Sequence, residues 1–256
     1  VVFAGQNLSE EYTYELLDAV KDHSIAAIVI SKSGTTTEPA VAFRIVKAEI
    51  ERRYGKAGAA ERRSFLDHAI CQLRPRYAEA LAQYHKLLDH KTRILRDWEK
   101  HPSLLDVLED FNEAMARAGA LVIHYRAHFV RKLAEKAAQI QTEFSGGRET
   151  LALHYATVSM VRDPLGPTVE LYEDLRRHQD SHAKAERDAR SCLSGPHKDD
   201  LVAQINGQPA RQYASQGQTR TAALSIKLAE REIYKNTVGE YPVLLLADVL
   251  SELDAR

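Results

Sequence analysis

Ser215, Gln216, Gly217 and Gln218 stand directly before a long amphipathic run, "TRTAALSIKLAERE". A small polar turn of this kind leaves backbone N–H groups unused at a helix N-terminus. Aligned peptide dipoles place about half a positive charge at that end. Such an end is a seat for a phosphate. Further along, the apolar run Val243, Leu244, Leu245, Leu246 passes through Ala247 to Asp248, and "SELD" follows at 251–254. A carboxylate at the carboxyl end of a buried strand can hold Mg²⁺ or polarise a water aimed at a phosphate. A third group lies near the start, in "SKSGTTTEP". Ser31, Lys32, Ser33, Thr35 and Thr36 put hydroxyls and one positive charge in front of a helix, which again suits a phosphate.

These groups must be carried by a folded chain. The sequence has 256 residues, 44% hydrophobic and 28% charged, with net charge −1. That balance fits a water-soluble mixed α/β protein of one large or two small domains. It gives no global basic field for nucleic acid, although a local patch remains open. Two cysteines, Cys71 and Cys192, lie far apart and form neither a metal-ligand spacing nor a disulfide framework. A reducing, cytoplasmic setting is the default for such usage. The eleven histidines are scattered and read as surface or packing residues. No apolar run approaches the ~18 residues of a membrane span. The chain opens on Val1 without a Met and stops soon after "SELD", so both ends read as cut.

Residues 1–57 read as strand, helix, strand, helix. Ser9 caps "SEEYTYELLDAVKD", "SIAAIVIS" is a buried strand, and Gly55 closes a second helix. Composition shifts at "GKAGAAERR", which places a boundary near residue 58. Beyond it, Tyr77, Leu81, Tyr84, Leu88, Leu95 and Trp98 keep a helical stripe over 76–99. Ser103 reads as the cap of a second long helix with Asp106 in a box-like position. Its stripe runs Leu104, Leu108, Phe111, Met115, Val122, Phe129, Leu133 and Ile140, with a kink or break allowed at Gly119. The two helices suggest an antiparallel pair and a projecting arm. "ETLALHYATVS" alternates as a strand, 168–192 reads as a charged helix with a solvated face, and Asn206-Gly207 marks a hairpin within 200–215.

The stretches "ERRSFLD", "LRPRYAEALAQYHKLL", "SGPHKDDL", "ING", "SQGQTRTAALSIKLAE" and "EYPVLLLADVLSELD" occur in this order over 60–256 and closely resemble the RecF family of recombinational repair proteins. The resemblance implies a partial ABC-type ATPase head with a long-helix arm lobe. It divides the chain into a helical lobe at 58–192 and the C-terminal half of an ATPase lobe at 193–256. It implies ATP and Mg²⁺, an ATP-dependent homodimer on DNA at single/double-strand junctions, RecO and RecR as partners, and support of RecA loading. "SQGQ" resembles the ABC signature motif, whose residues Ser215, Gln216, Gly217 and Gln218 would cap the γ-phosphate of ATP held by the other subunit. Asp248 would orient the attacking water, and Ser251 and Asp254 would lie in the D-loop.

Three departures from the family pattern bear on hydrolysis: no GxxxxGK[ST] loop occurs in the sequence, Ala247 stands where the pattern has its Mg²⁺-organising aspartate, and the sequence reads as stopping just after the D-loop, before the family's last strand and switch region. "SKSGTTTEPAVAFR" resembles the sugar-phosphate loop of glucose-6-phosphate isomerase, of the SIS type, over residues 1–57. Three functions are thereby set against one another. The first is a DNA repair ATPase with basic candidates Arg74, Arg76, Arg126, Arg131 and Lys132. The second is a sugar-phosphate module on the first 57 residues. The third is a non-functional junction of two genes.

Overall fold

The structure is a computed structural model, and it describes residues 57–242. The strand and helix readings of 1–56, and the strand at 243–246 with the residues that follow it, lie outside the described residues. The account below is of the compact unit that begins at Arg62.

Helix α1 spans Ala57–Leu73 and α2 spans Pro75–Asp97. Arg74 separates them with extended backbone, φ −141° and ψ 92°. A residue before proline is pushed out of the helical region, and Pro75 then opens the next helix without losing a needed N–H. Residues Pro102–Leu105 form a 3-10 turn. Helix α3 follows over Leu108–Ser145, 38 residues, closed by Gly146 in the left-handed conformation at φ 60°. Ser103 therefore lies inside the 3-10 turn and does not cap α3. The N-cap is Val107, with no side-chain bond. Pro102 starts the turn one residue ahead of Ser103 and so moves it off the capping position.

At about 1.5 Å per residue, α3 is nearly 60 Å long, and it is the spine of the unit. It packs against α2, against α4 (Thr168–Ala189) and against α6 (Gln216–Val238), and it covers strand β1 (Leu151–Ala156). Met115, Val122, Phe129 and Leu133 of its stripe are buried. The expected projecting arm is thus a core helix, because its apolar face is too wide for one partner. Gly119 causes no break. A Cβ there would stand 3.2 Å from Leu175 Cδ1 and Pro196 Cδ and 3.4 Å from Tyr84 Cε2. This glycine lets three elements converge on α3.

Strands β2 (Asp200–Ile205) and β3 (Gln208–Pro209) complete an antiparallel sheet of order β1-β2-β3. Leu151 pairs with Ile205 and Ala156 with Asp200. The Asn206-Gly207 turn has φ 50° and 75°, the paired positive values of a tight hairpin. The return strand lasts two residues, since Pro209 has no N–H to donate. A short helix α5, Ala210–Tyr213, follows. β1 and β2 thus join segments on either side of residue 192 in one sheet.

The charged helix α4 is not solvated all round. Asp174, His178, Gln179 and Glu186 are buried. Glu186 meets Lys91 of α2 at 2.6 Å, and its second oxygen accepts the N–H groups of Leu193 and Ser194 at 2.7 and 3.1 Å. This buried ion pair, with its carboxylate also bonded to the 193–194 backbone, ties α2 to α4.

Candidate phosphate-binding turn and its buried support

Ser215 is the N-cap of α6. Its hydroxyl accepts the Gln218 N–H at 3.2 Å, and the Gln218 side chain accepts the Ser215 N–H at 2.9 Å. This reciprocal capping box fixes the turn. Thr219 and Thr221 bond back to the carbonyls of Ser215 and Gly217. Ser215, Gln216 and Gly217 are exposed, and Gln218 is half-buried. The N–H groups of Gln216 and Gly217 belong to the first helical turn, which has no carbonyl behind it to accept them. They point outward from the positive end of a 23-residue helix. Among the described residues Gly217 has open space around it, the nearest atom to an added Cβ being Ser215 Oγ at 4.0 Å. The packing of the described residues and the backbone therefore do not call for a glycine here. The turn can accept an anion that approaches from outside.

Of the other expected groups, Ser31, Lys32, Ser33, Thr35, Thr36, Ala247, Asp248, Ser251 and Asp254 lie outside the described residues. Among the described residues, no group of three or more His, Cys, Asp or Glu side chains is placed to hold a metal ion. Of the basic candidates, Arg74, Arg76, Arg131 and Lys132 are exposed. Arg126 is not available to DNA, being only 2% exposed.

Arg126 instead centres a polar hub. Its guanidinium donates to Asp67 of α1 at 2.8 and 3.0 Å, to Tyr77 of α2 at 3.0 Å, and to Pro196 O at 2.8 Å. It also reaches Asp199 at 3.2 Å, whose same oxygen accepts the Tyr155 hydroxyl of β1. Arg63 donates to the Asp199 carbonyl, and Arg62 forks onto Asp200 with two bonds of 2.7 Å. The stretch "SGPHKDDL" is thus where β2 is tied to three helices and a neighbouring strand.

His197 adds a second tie. The Cys192 carbonyl can only accept, so the His197 Nε2 at 3.1 Å carries the proton. The bare Nδ1 then accepts from Tyr84 Oη at 2.7 Å. Burial, its largest cause, pushes the imidazole down to about 4, which keeps it neutral. Gly195 has φ 130°, and a Cβ there would lie 2.2 Å from Tyr84 Oη. Here the glycine is required.

Asp199 makes a pH prediction. Burial is the largest cause and pushes its carboxyl from 3.8 up to about 6, against the opposing pulls of Arg126 and Tyr155. The folded state therefore keeps a proton that the unfolded state releases. The stability from this group is complete below about pH 4 and is lost as pH rises through 6, at up to ~1.4 kcal/mol per unit. Asp200, held low by Arg62 against its own desolvation, acts in the opposite direction. It is common to both proteins in a comparison with Asp199→Asn. Urea denaturation at pH 4.5 and 6.5 is expected to show the wild type losing about 2 kcal/mol relative to Asp199→Asn.

Comparison with known proteins joins this geometry to a family. No family model matches the chain. The DNA replication and repair protein RecF of Acetivibrio thermocellus is 37% identical over 201 residues, covering 78% of this chain and 54% of that protein. RecF of Agathobacter rectalis is 39% identical over 203 residues, covering 78% and 52%. A solved structure of the recombination mediator protein RecF-ATP in the RecFOR pathway superposes with TM-score 0.72 at 36% identity, over 77% of this chain and 52% of that one. Three quarters of this chain is RecF-like. The chain spans about half the length of the RecF proteins it matches. The likeness holds in both sequence and backbone. The sugar-phosphate reading of residues 1–57 gains no support from the RecF comparisons.

Proposed function

We propose that this chain acts as a RecF-type DNA repair and replication protein. In this reading Ser215, Gln216, Gly217 and Gln218 cap the triphosphate of ATP bound to a second subunit, and a nucleotide-dependent dimer engages single/double-strand DNA junctions together with RecO- and RecR-type partners. The observation that carries it is the exposed, rigidly capped turn whose Gln216 and Gly217 N–H groups face outward at the head of α6. A triphosphate supplies the acceptor oxygens and the negative charge that such an end favours. The solved RecF bound to ATP supports the choice of nucleotide.

In this reading the turn serves a nucleotide held by its partner subunit, because its outward-facing N–H groups are open to an anion from outside the chain. Asp248 would orient water beside that phosphate, and Ala247 in place of a Mg²⁺-organising carboxylate makes turnover by this chain slow.

The test uses the full-length Acetivibrio thermocellus RecF as the nucleotide-bearing subunit. Sedimentation of the two chains together is expected to give a mixed dimer with a slowly hydrolysed ATP analogue and none with ADP. A mixed species that ignores the nucleotide, or no mixed species at all, overturns the reading.

A further inference from the structure

The interface between α3 and α6 is built largely from small and aliphatic side chains. Leu133 and Ala137 of α3, and Ala222, Ala229 and Ile233 of α6, belong to the same buried core. Such surfaces are smooth, and apolar contact is non-directional. A slide of one helix along the other costs little contact. One polar pair interrupts this surface. Ser225 Oγ donates to Gln141 Oε1 at 2.8 Å, and both residues are fully buried. Gln141 Nε2 in turn donates to Glu149 Oε2 at 2.7 Å. Glu149 is held by its own N–H on Ser145 Oγ at 3.1 Å. The relay therefore runs from α6 through α3 to the segment that opens β1. Unlike the surrounding contacts it is directional, and one residue's slip of about 1.5 Å would break it.

Ser225 lies ten residues beyond Ser215 on one uninterrupted helix, about 15 Å along its axis. A rigid helix carries the register set at Ser225 to the capped turn at its head. Anion recognition by backbone N–H groups needs placement to within about 0.5 Å. We propose that the Ser225–Gln141–Glu149 relay is the register pin of α6, and that Ser225 and Gln141 are positioning residues for the phosphate-capping turn. This rests on the function proposed above.

The test combines Gln141→Leu with Ser225→Ala, which removes both polar partners and leaves Glu149 free to turn to solvent. Replacing both members of a buried hydrogen bond by apolar groups is close to neutral for stability, so the melting temperature is expected to stay within a few degrees. Amide exchange over 215–222 is expected to speed up at least tenfold while α4 exchange is unchanged. Nucleotide-dependent association with the full-length Acetivibrio thermocellus RecF is expected to weaken at least tenfold. Unchanged exchange and association in the double variant overturn the inference. The comparison with Gly217→Leu separates the two ideas. If that variant abolishes association and the relay variant does not, the pin is wrong and the capping turn stands. If neither changes an association that still depends on nucleotide, the capping turn itself is wrong. Should the double variant fold poorly, Ser225→Ala alone is read in the same exchange and association assays.

Discussion

Arg126→Met is expected to lose about 3–5 kcal/mol of folding stability, the range found when one partner of a buried, hydrogen-bonded ion pair is removed. A domain of this size has only ~5–15 kcal/mol in total, so the variant should be partly unfolded at ordinary temperature. The methionine fills much of the space and isolates the electrostatic loss from a cavity. What remains is Asp199, a buried carboxyl that has lost the Arg126 charge favouring its ionised form and keeps the Tyr155 hydroxyl. Asp67 keeps only Tyr77, and Pro196 O keeps only the Asp199 N–H.

These groups sit on α1, α2, β1 and the turn that leads into β2, so the loss spreads through all four together. Arg126→Lys should recover little, because a single ammonium cannot reproduce a guanidinium fork that bonds in three directions. Adding Asp199→Asn to Arg126→Met should recover about 1–2 kcal/mol by removing the stranded charge. Urea denaturation followed by far-ultraviolet circular dichroism at pH 7.5 measures all three. An Arg126→Met loss below about 1 kcal/mol would mean the guanidinium is solvated and the hub is not structural.

The same residue shows how far the sequence could be read. Arg126 lies four residues after Val122 and three before Phe129, squarely on the stripe that defines the core face of α3. A cation at such a position must find acids inside the protein. That much was legible. Its partners were not, since Asp67 and Asp199 are 59 and 73 residues away and only the folded packing brings them in. Gln141 and Lys91 repeat the pattern, each on its helix's buried face with a partner from another element. Local chemistry was far easier to see. The capping box at Ser215 and the Asn206-Gly207 turn depend on residues within three or four positions of one another, so the sequence contains everything that fixes them. Ser103 marks the limit of that approach, because a neighbouring proline overrode a correct capping preference. The expected arm failed for a related reason: a stripe tells that a face is buried, and not how many elements bury it.

Gly217 separates what the fold needs from what a ligand needs. Its backbone is not in the left-handed region and, among the described residues, an added Cβ meets nothing closer than 4.0 Å. Glycine inside a helix costs roughly 0.5–1 kcal/mol relative to alanine. Gly217→Leu is therefore expected to hold or raise the stability of the chain by a few tenths to about 1 kcal/mol. Association with an ATP-loaded RecF subunit is expected to fall at least a hundredfold, about 2.7 kcal/mol. The isobutyl group would stand over the Gln216 and Gly217 N–H donors and hold a phosphate oxygen beyond hydrogen-bond reach. Thermal unfolding and sedimentation on the same preparation test the two halves of the prediction together. A variant that is as stable as the wild type and still forms the nucleotide-dependent dimer would show that no ligand approaches this turn closely. A more stable variant that no longer associates would locate the reason for the glycine in the other subunit's nucleotide, where the packing of the described residues supplies none.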